Sequence, residues 1–162
     1  MNYYSTEELY SLGFKQVGEN TLVSRNATFH NINGVLGNGA RIDDFAVLTG
    51  DIYIGDFTHV SPFSFLSGAG GKITMQEGAG IGSHSSIYTK SDNYQEVTNG
   101  PRTKISGDVF IGKHSILGAQ CVVLPGVTIG DHCSIGVGCV IHEDTPESSR
   151  LVSLGIKSVR LP

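Results

Sequence analysis

The chain has 162 residues and a mildly acidic balance, 11 Lys and Arg against 15 Asp and Glu, with the charges scattered rather than blocked. Such a chain offers no basic stripe to nucleic acid, no apolar run long enough to span a membrane, and no N-terminal segment with the charged and apolar regions of a signal peptide. A single soluble cytoplasmic domain is the expectation, and with 22 Gly and no Trp its core must come from a pattern rather than from bulky side chains.

Residues 1–30 precede that pattern. Ser5-Thr6-Glu7-Glu8 has the form of a capping box, followed by Leu9, Leu12 and a stop at Gly13. This predicts a helix of about two turns, then a strand-like Thr21–Ser24, together covering the open end of the patterned region.

From residue 31 to 145 an aliphatic side chain returns every sixth position. The sites are Leu36, Ile42, Leu48, Ile54, Val60 and Leu66; Met75, Ile81 and Ile87; and Ile105, Ile111, Leu117, Val123, Ile129, Ile135 and Ile141. A period of six belongs neither to a helix nor to a simple alternating strand; it marks a repeat architecture. Gly follows the aliphatic at 37, 55, 82, 112, 118, 130 and 136, where it is expected to supply the backbone dihedrals of a corner. Small residues stand four places on, at Ala46, Thr58, Ser64, Ala79, Ser85, Ser115, Cys121, Cys133 and Cys139. The three cysteines therefore read as small core residues rather than metal or redox groups. Each unit is too small to fold alone, so short parallel strands stacked into coils, with the aliphatics as one column, are the expected core.

Two breaks interrupt the period. Leu66 to Met75 is nine residues rather than six, so Gly68-Ala69-Gly70-Gly71 is read as a small bulge or loop leaving the coil. Between Ile87 and Ile105 the pattern vanishes, and the polar segment 88–104 is read as a loop thrown out from one corner, the largest place for function on a rigid scaffold. Glu143-Asp144-Thr145-Pro146 ends the repeat, and 146–162 forms a tail packing back on the last coil.

Histidine is the commonest general base. His84, His114 and His132 share one repeat position, and if the loop returns to its own corner they form one vertical column, continued by Phe45 and Phe63. That position is a turn, where His tolerates positive φ. His84, just before the loop, is carried forward as a candidate base. A metal site built from the three lacks closely paired ligands.

The runs Ile111-Gly112-Lys113-His114-Ser115-Ile116 and Val123–Ile141 (VLPGVTIGDHCSIGVGCVI) resemble the hexapeptide-repeat acyltransferases, and the resemblance extends over about Leu36–Arg160. It implies an all-β fold, a left-handed parallel β-helix with three hexapeptides per triangular coil. It also implies acetyl-CoA as co-substrate, no metal, and a homotrimer with each active site between neighbours. The segment Ile87–Asp92 looks like the one in which sugar and antibiotic acetyltransferases carry a catalytic His, and Asp92 falls on that His. An aspartate is a weak base but can orient an amine, so the substitution points to N-acylation of a nucleotide-linked amino sugar in surface polysaccharide (lipopolysaccharide) synthesis. The alternative for Asp92 is loop capping in an Asx turn. Tyr88, Ser91, Asn93 and Tyr94 are candidate substrate contacts. The family's donor groove falls on Gly118-Ala119 and Gly136-Val137, and its C-terminal basic pair on Lys157 and Arg160. The rival readings are sugar O-acetylation with His84 as base, a metal-dependent carbonic anhydrase-like protein, and a non-catalytic hexapeptide subunit.

Overall fold

The computed structural model describes residues 2–93, 96 and 100–153; the expectations for Tyr94, Lys157 and Arg160 lie outside them. The hexads wind into a triangular parallel solenoid of the left-handed β-helix type. Three inward columns can be followed through the strand register. On the first face Leu36 pairs with Ile54, Ile54 with Met75, Met75 with Ile111 and Ile111 with Ile129. The second face runs Val23, Ile42, Val60, Ile81, Leu117, Ile135 and Leu151. The third runs Leu48, Leu66, Ile87, Val123 and Ile141. Every hexad aliphatic from Leu36 to Ile141 except Ile105 is at most 3% exposed.

The faces are not equivalent. Two positions before the aliphatic, the second and third faces carry small residues such as Ala46, Ser64, Ser85 and Cys121. The first face carries a second large side chain there, at Ile52, Ile73, Val109 and Val127, all buried. Where the small residue is polar it is satisfied between coils: Ser115 Oγ donates to the Gly130 carbonyl at 2.7 Å and accepts from the Cys133 amide at 2.9 Å. Cys121, Cys133 and Cys139 are free, buried thiols.

The hexad glycines act differently from the expectation. Gly37, Gly82, Gly112 and their counterparts do not have positive φ. They are needed because coils are stacked at strand spacing and a Cβ would strike the next coil's backbone: at Gly82 it would lie 2.4 Å from the Ala119 nitrogen. The left-handed dihedrals fall two residues later, at Phe45, Phe57, Phe63, His84, His114, Gln120 and His132, all with φ between 53° and 61°. Such a conformation costs a non-glycine residue roughly 1–2 kcal/mol.

The capping box forms as read: a helix spans Thr6–Ser11, with Ser5 and Glu8 bonding each other's backbone amides. A strand that the hexad pattern did not announce, Phe14–Val17, pairs with the first face. Leu9 and Phe14 join the core cluster, and the Phe14 ring meets Phe29 edge-on at 5.5 Å.

The glycine bulge lies inside one strand, Phe65–Met75, that bends around the corner between the third and first faces. Its register jumps from Gly50↔Gly68 to Ile52↔Ile73. The long excursion leaves from this same corner one coil later, but it is not a simple loop over 88–104. Lys90–Asp92 and Lys104–Ser106 form an antiparallel hairpin, and the coil resumes at Val109–Ile111. Ile105 therefore pairs with Ser91 and lies outside the core column; its place in the six-residue phase is coincidental.

Candidate active site

Three edges separate the three faces, and they have different chemistry. Because Ile111 re-enters on the first face, His114 and His132 lie on the edge between the first and second faces, where their rings stack at 5.5 Å. His84 lies on the edge between the second and third faces. There it stacks on Phe63 at 4.9 Å, and Phe63 on Phe45 at 5.0 Å. The single histidine column expected from the sequence is thus two columns on two edges. Phe45 and Phe63 continue only that of His84.

The His84 edge also holds the candidate donor groove. Reading down the coils, its first corner residue changes from Ser24, Asp43 and Ser61 to Gly82, Gly118 and Gly136. Each corner of this edge spends two amides on its neighbours. Gly118 N–H donates to the Ile135 carbonyl below at 2.8 Å and Gln120 N–H to the Ser83 carbonyl above at 2.9 Å. The amide between them, at Ala119 and likewise at Val137, donates to no described residue. On the His114 edge two of the equivalent amides are capped by a carboxylate one coil below, Asn38 N–H by Asp56 and Lys113 N–H by Asp131, both at 2.7 Å. Ala119 has Val137 in that place, and Val137 is 59% exposed. The Ala119 and Val137 N–H groups, one coil apart, thus donate to no described residue, as is also true of Ser83 in the coil above.

Asp92, Ser91, Asn93 and Tyr88 lie on the hairpin edge, between the third and first faces. Asp92 stands opposite Lys104 across the hairpin and is ion-paired with it. The Lys104 hydrogen bond and charge hold the Asp92 carboxyl below its ordinary value, with a smaller contribution from Arg102. Asn93 N–H donates to the Thr103 carbonyl at 3.0 Å. The Tyr88 ring lies 5.6 Å from Phe65. Buried Thr89 anchors the base of the hairpin, donating to the Ser67 carbonyl at 2.7 Å and accepting from the Gly70 amide at 3.0 Å. Asp108 accepts from the Lys72 amide at 2.8 Å. The glycine bulge is the seat on which the hairpin rests. The sequence signalled both features separately but not that they touch, because that depends on the register of one coil over the next.

One chain thus places Asp92 and the open Ala119 amide on different edges, with the third face between them. His84, in contrast, shares the donor edge, and no carboxylate partner holds its ring among the described residues. The histidine that has one is His59, which carries no motif in the sequence: its Nε2 lies 2.8 Å from Asp43 Oδ2, and Arg41 Nε lies 2.6 Å from Asp43 Oδ1. Burial by itself raises the Asp43 carboxyl, but the bonds from His59 and Arg41 outweigh it and lower the value overall. Among the described residues no three His, Cys, Asp or Glu side chains converge as metal ligands, and no helix is long and apolar enough to cross a membrane.

The family model for bacterial transferase hexapeptide (six repeats) matches residues 100–143. A dTDP-4-amino-4,6-dideoxy-D-glucose acyltransferase of Escherichia coli is 39% identical over 155 residues, covering 89% of this chain and 80% of that protein. The N-acyltransferase AntD of Bacillus cereus, solved as a variant with dTDP and coenzyme A, superposes with a TM-score of 0.86 at 31% identity, over 99% of this chain and 90% of AntD. A second AntD variant, with dTDP-4-amino-4,6-dideoxyglucose and coenzyme A, gives 0.84 at 32% identity over 99% and 91%. The hexad columns, the glycine-lined edge and these likenesses over nearly the whole chain agree: the chain belongs to the hexapeptide-repeat acyltransferases.

Proposed function

We propose that the protein transfers an acyl group from a coenzyme A thioester to the amine of a nucleotide-linked amino sugar, of the dTDP-4-amino-4,6-dideoxyglucose kind on which its relatives act. It works as a homotrimer in which Asp92 of one chain faces the Gly118–Val137 edge of the next. The observation that carries this reading is the Asp92–Lys104 pair. A carboxylate held ionised by lysine is too weak a base to activate a sugar hydroxyl. It is a good acceptor for an amine N–H, and Lys104 takes Oδ1 and leaves Oδ2 for that purpose.

The chemistry is an aminolysis. The amine loses its extra proton to solvent, and Asp92 aligns the neutral nitrogen, a positioning effect that supplies much of the rate. The nitrogen attacks the thioester carbonyl, whose developing oxyanion is met by the Ala119 amide. The C–S bond then breaks; the proton on nitrogen passes to solvent, and coenzyme A leaves as a thiolate that takes up a proton from solvent. Tyr88, Ser91, Asn93 and Tyr94 flank the sugar. Val137 extends the donor groove, and Lys157 and Arg160 meet the nucleotide end of coenzyme A. O-acylation would need His84 as base, and among the described residues no carboxylate orients its ring. The setting is cytoplasmic synthesis of a surface polysaccharide such as lipopolysaccharide.

The test is thiol release from acetyl-CoA with paired dTDP-4-amino and dTDP-4-hydroxy sugars, beside light scattering of the purified protein. Release with the amine alone by a particle of three chains is expected. Turnover of the hydroxy sugar that is abolished in His84→Ala would overturn the reading.

A further inference from the structure

The inward small residues of the donor edge change along the coils as its corners do: Ala27 and Ala46, then Ser64, Ser85 and Cys121, then Cys139. The two hydroxyls and the first thiol stand one coil above the glycine corners, and each donates to the corner carbonyl below it. Ser64 Oγ donates to Gly82 at 3.4 Å, Ser85 Oγ to Gly118 at 3.1 Å and Cys121 Sγ to Gly136 at 3.1 Å. Those three carbonyls belong to the same peptide units as the Ser83, Ala119 and Val137 N–H groups, none of which donates to a described residue. A trans peptide is planar, with its C=O and N–H pointing in opposite directions. Ser85 is 1% exposed, so its bond draws the Gly118 carbonyl into the coil and turns the Ala119 N–H outward.

We propose that Ser85 is a positioning residue for acyl transfer, which from inside the coil aims the Ala119 N–H and strengthens it as donor to the oxyanion. The inference rests on the reading of Ala119 as the partner of the thioester oxygen. The three corner peptides are not held alike. A hydroxyl is a stronger donor than a thiol, so Cys121 holds the Val137 peptide less firmly than Ser85 holds that of Ala119, and the Ser64 bond is longer. Ser85 Oγ also accepts from the Cys121 amide at 3.2 Å, which leaves its proton for the Gly118 carbonyl. The Cys121 N–H, the Ser85 hydroxyl and the Gly118 carbonyl thus form a line of dipoles behind the Ala119 N–H, and each bond polarises the next. An amide whose carbonyl is held in this way is a better donor, and it is already aimed when charge develops on the thioester oxygen. Ser115 makes the same two bonds on the His114 edge, to the Gly130 carbonyl and from the Cys133 amide, away from the donor. It supplies the control.

The experiment measures kcat, KM and melting temperature for thiol release from acetyl-CoA with a dTDP-4-amino sugar, and acetyl-CoA binding by calorimetry, in wild type, Ser85→Ala, Ser85→Cys, Ser85→Thr and Ser115→Ala. The coil admits each of these residues at this hexad position, where Ala46, Cys121 and Thr58 stand elsewhere. Ser85→Ala is expected to lower kcat about tenfold, part of the loss seen when an oxyanion donor is removed outright, with KM and acetyl-CoA affinity within about twofold of wild type. Ser85→Cys falls between, and Ser85→Thr, which keeps the hydroxyl, restores kcat. Ser115→Ala gives up the same two bonds and should lose melting temperature equally while keeping its kcat. A kcat that falls no further in Ser85→Ala than in Ser115→Ala, a change confined to KM, or no recovery in Ser85→Thr overturns the positioning role alone. A wild-type protein that releases no thiol with the amine overturns the proposed function and the positioning role with it.

Discussion

Whether two chains build one site can be decided with two crippled variants. The first is Asp92→Ala, which removes the amine acceptor. The second is Ala119→Pro, which deletes the open N–H. The fold tolerates proline at this corner position: Pro62 occupies it two coils above, on the same edge. Loss of a hydrogen bond to a charged group is worth roughly 1.5–3 kcal/mol, so Asp92→Ala lowers kcat/KM by about 10- to 150-fold. Loss of one oxyanion donor lowers kcat by about 10²- to 10³-fold in Ala119→Pro, with the melting temperature close to wild type. When the two variants are co-expressed with different tags and mixed trimers isolated, a site is whole only where an Ala119→Pro chain lends its hairpin to an Asp92→Ala chain's edge. In a cyclic trimer of either mixed composition that is one site in three. The mixed particles should thus recover about one third of wild-type thiol release, well above either parent. Recovery no better than the parental mean would show that one chain supplies both groups and would refute the reasoning.

Other consequences can be checked by simpler means. Gly82→Ala forces a Cβ against the Ala119 backbone and should destabilise by about 1–3 kcal/mol. Gly80→Ala, which meets only a flexible tip, should be neutral or stabilise by about 0.4–1 kcal/mol through the unfolded chain; thermal melts of the two separate these outcomes. Asp43 has a lowered folded-state value, so its contribution to stability is complete above the ordinary carboxylate range and disappears as pH falls through the folded value. Melting temperatures of wild type should therefore fall more steeply toward acid than those of Asp43→Asn. Lys104→Met removes the main cause of the lowered Asp92 value, and the acid limb of the kcat/KM profile should move to higher pH.

The likeness of the hexads to one another hid what differs between them. The six-residue period identifies the inward side chains correctly from Leu36 to Ile141, yet it admits Ile105, which the structure assigns to a hairpin pairing with Ser91. The same error of phase makes His84, His114 and His132 look like one column. Asp92 could be singled out by resemblance, but not its partner Lys104, twelve residues on, since only the hairpin register brings them opposite. His59 carries no local mark at all. It matters because Asp43 and Arg41 approach it from the coil before.

What the sequence alone determined was the repeat, the inward columns, the capped first helix and the existence of a long excursion. These are periodic or local properties, written in consecutive residues. Tertiary structure decided which edge each corner residue faces, which amides the coils leave unused, and which side chains meet across coils. Those depend on how many residues the excursion adds before the chain re-enters the stack. A change of one hexad there would rotate every later residue to another face without altering the pattern that the sequence displays.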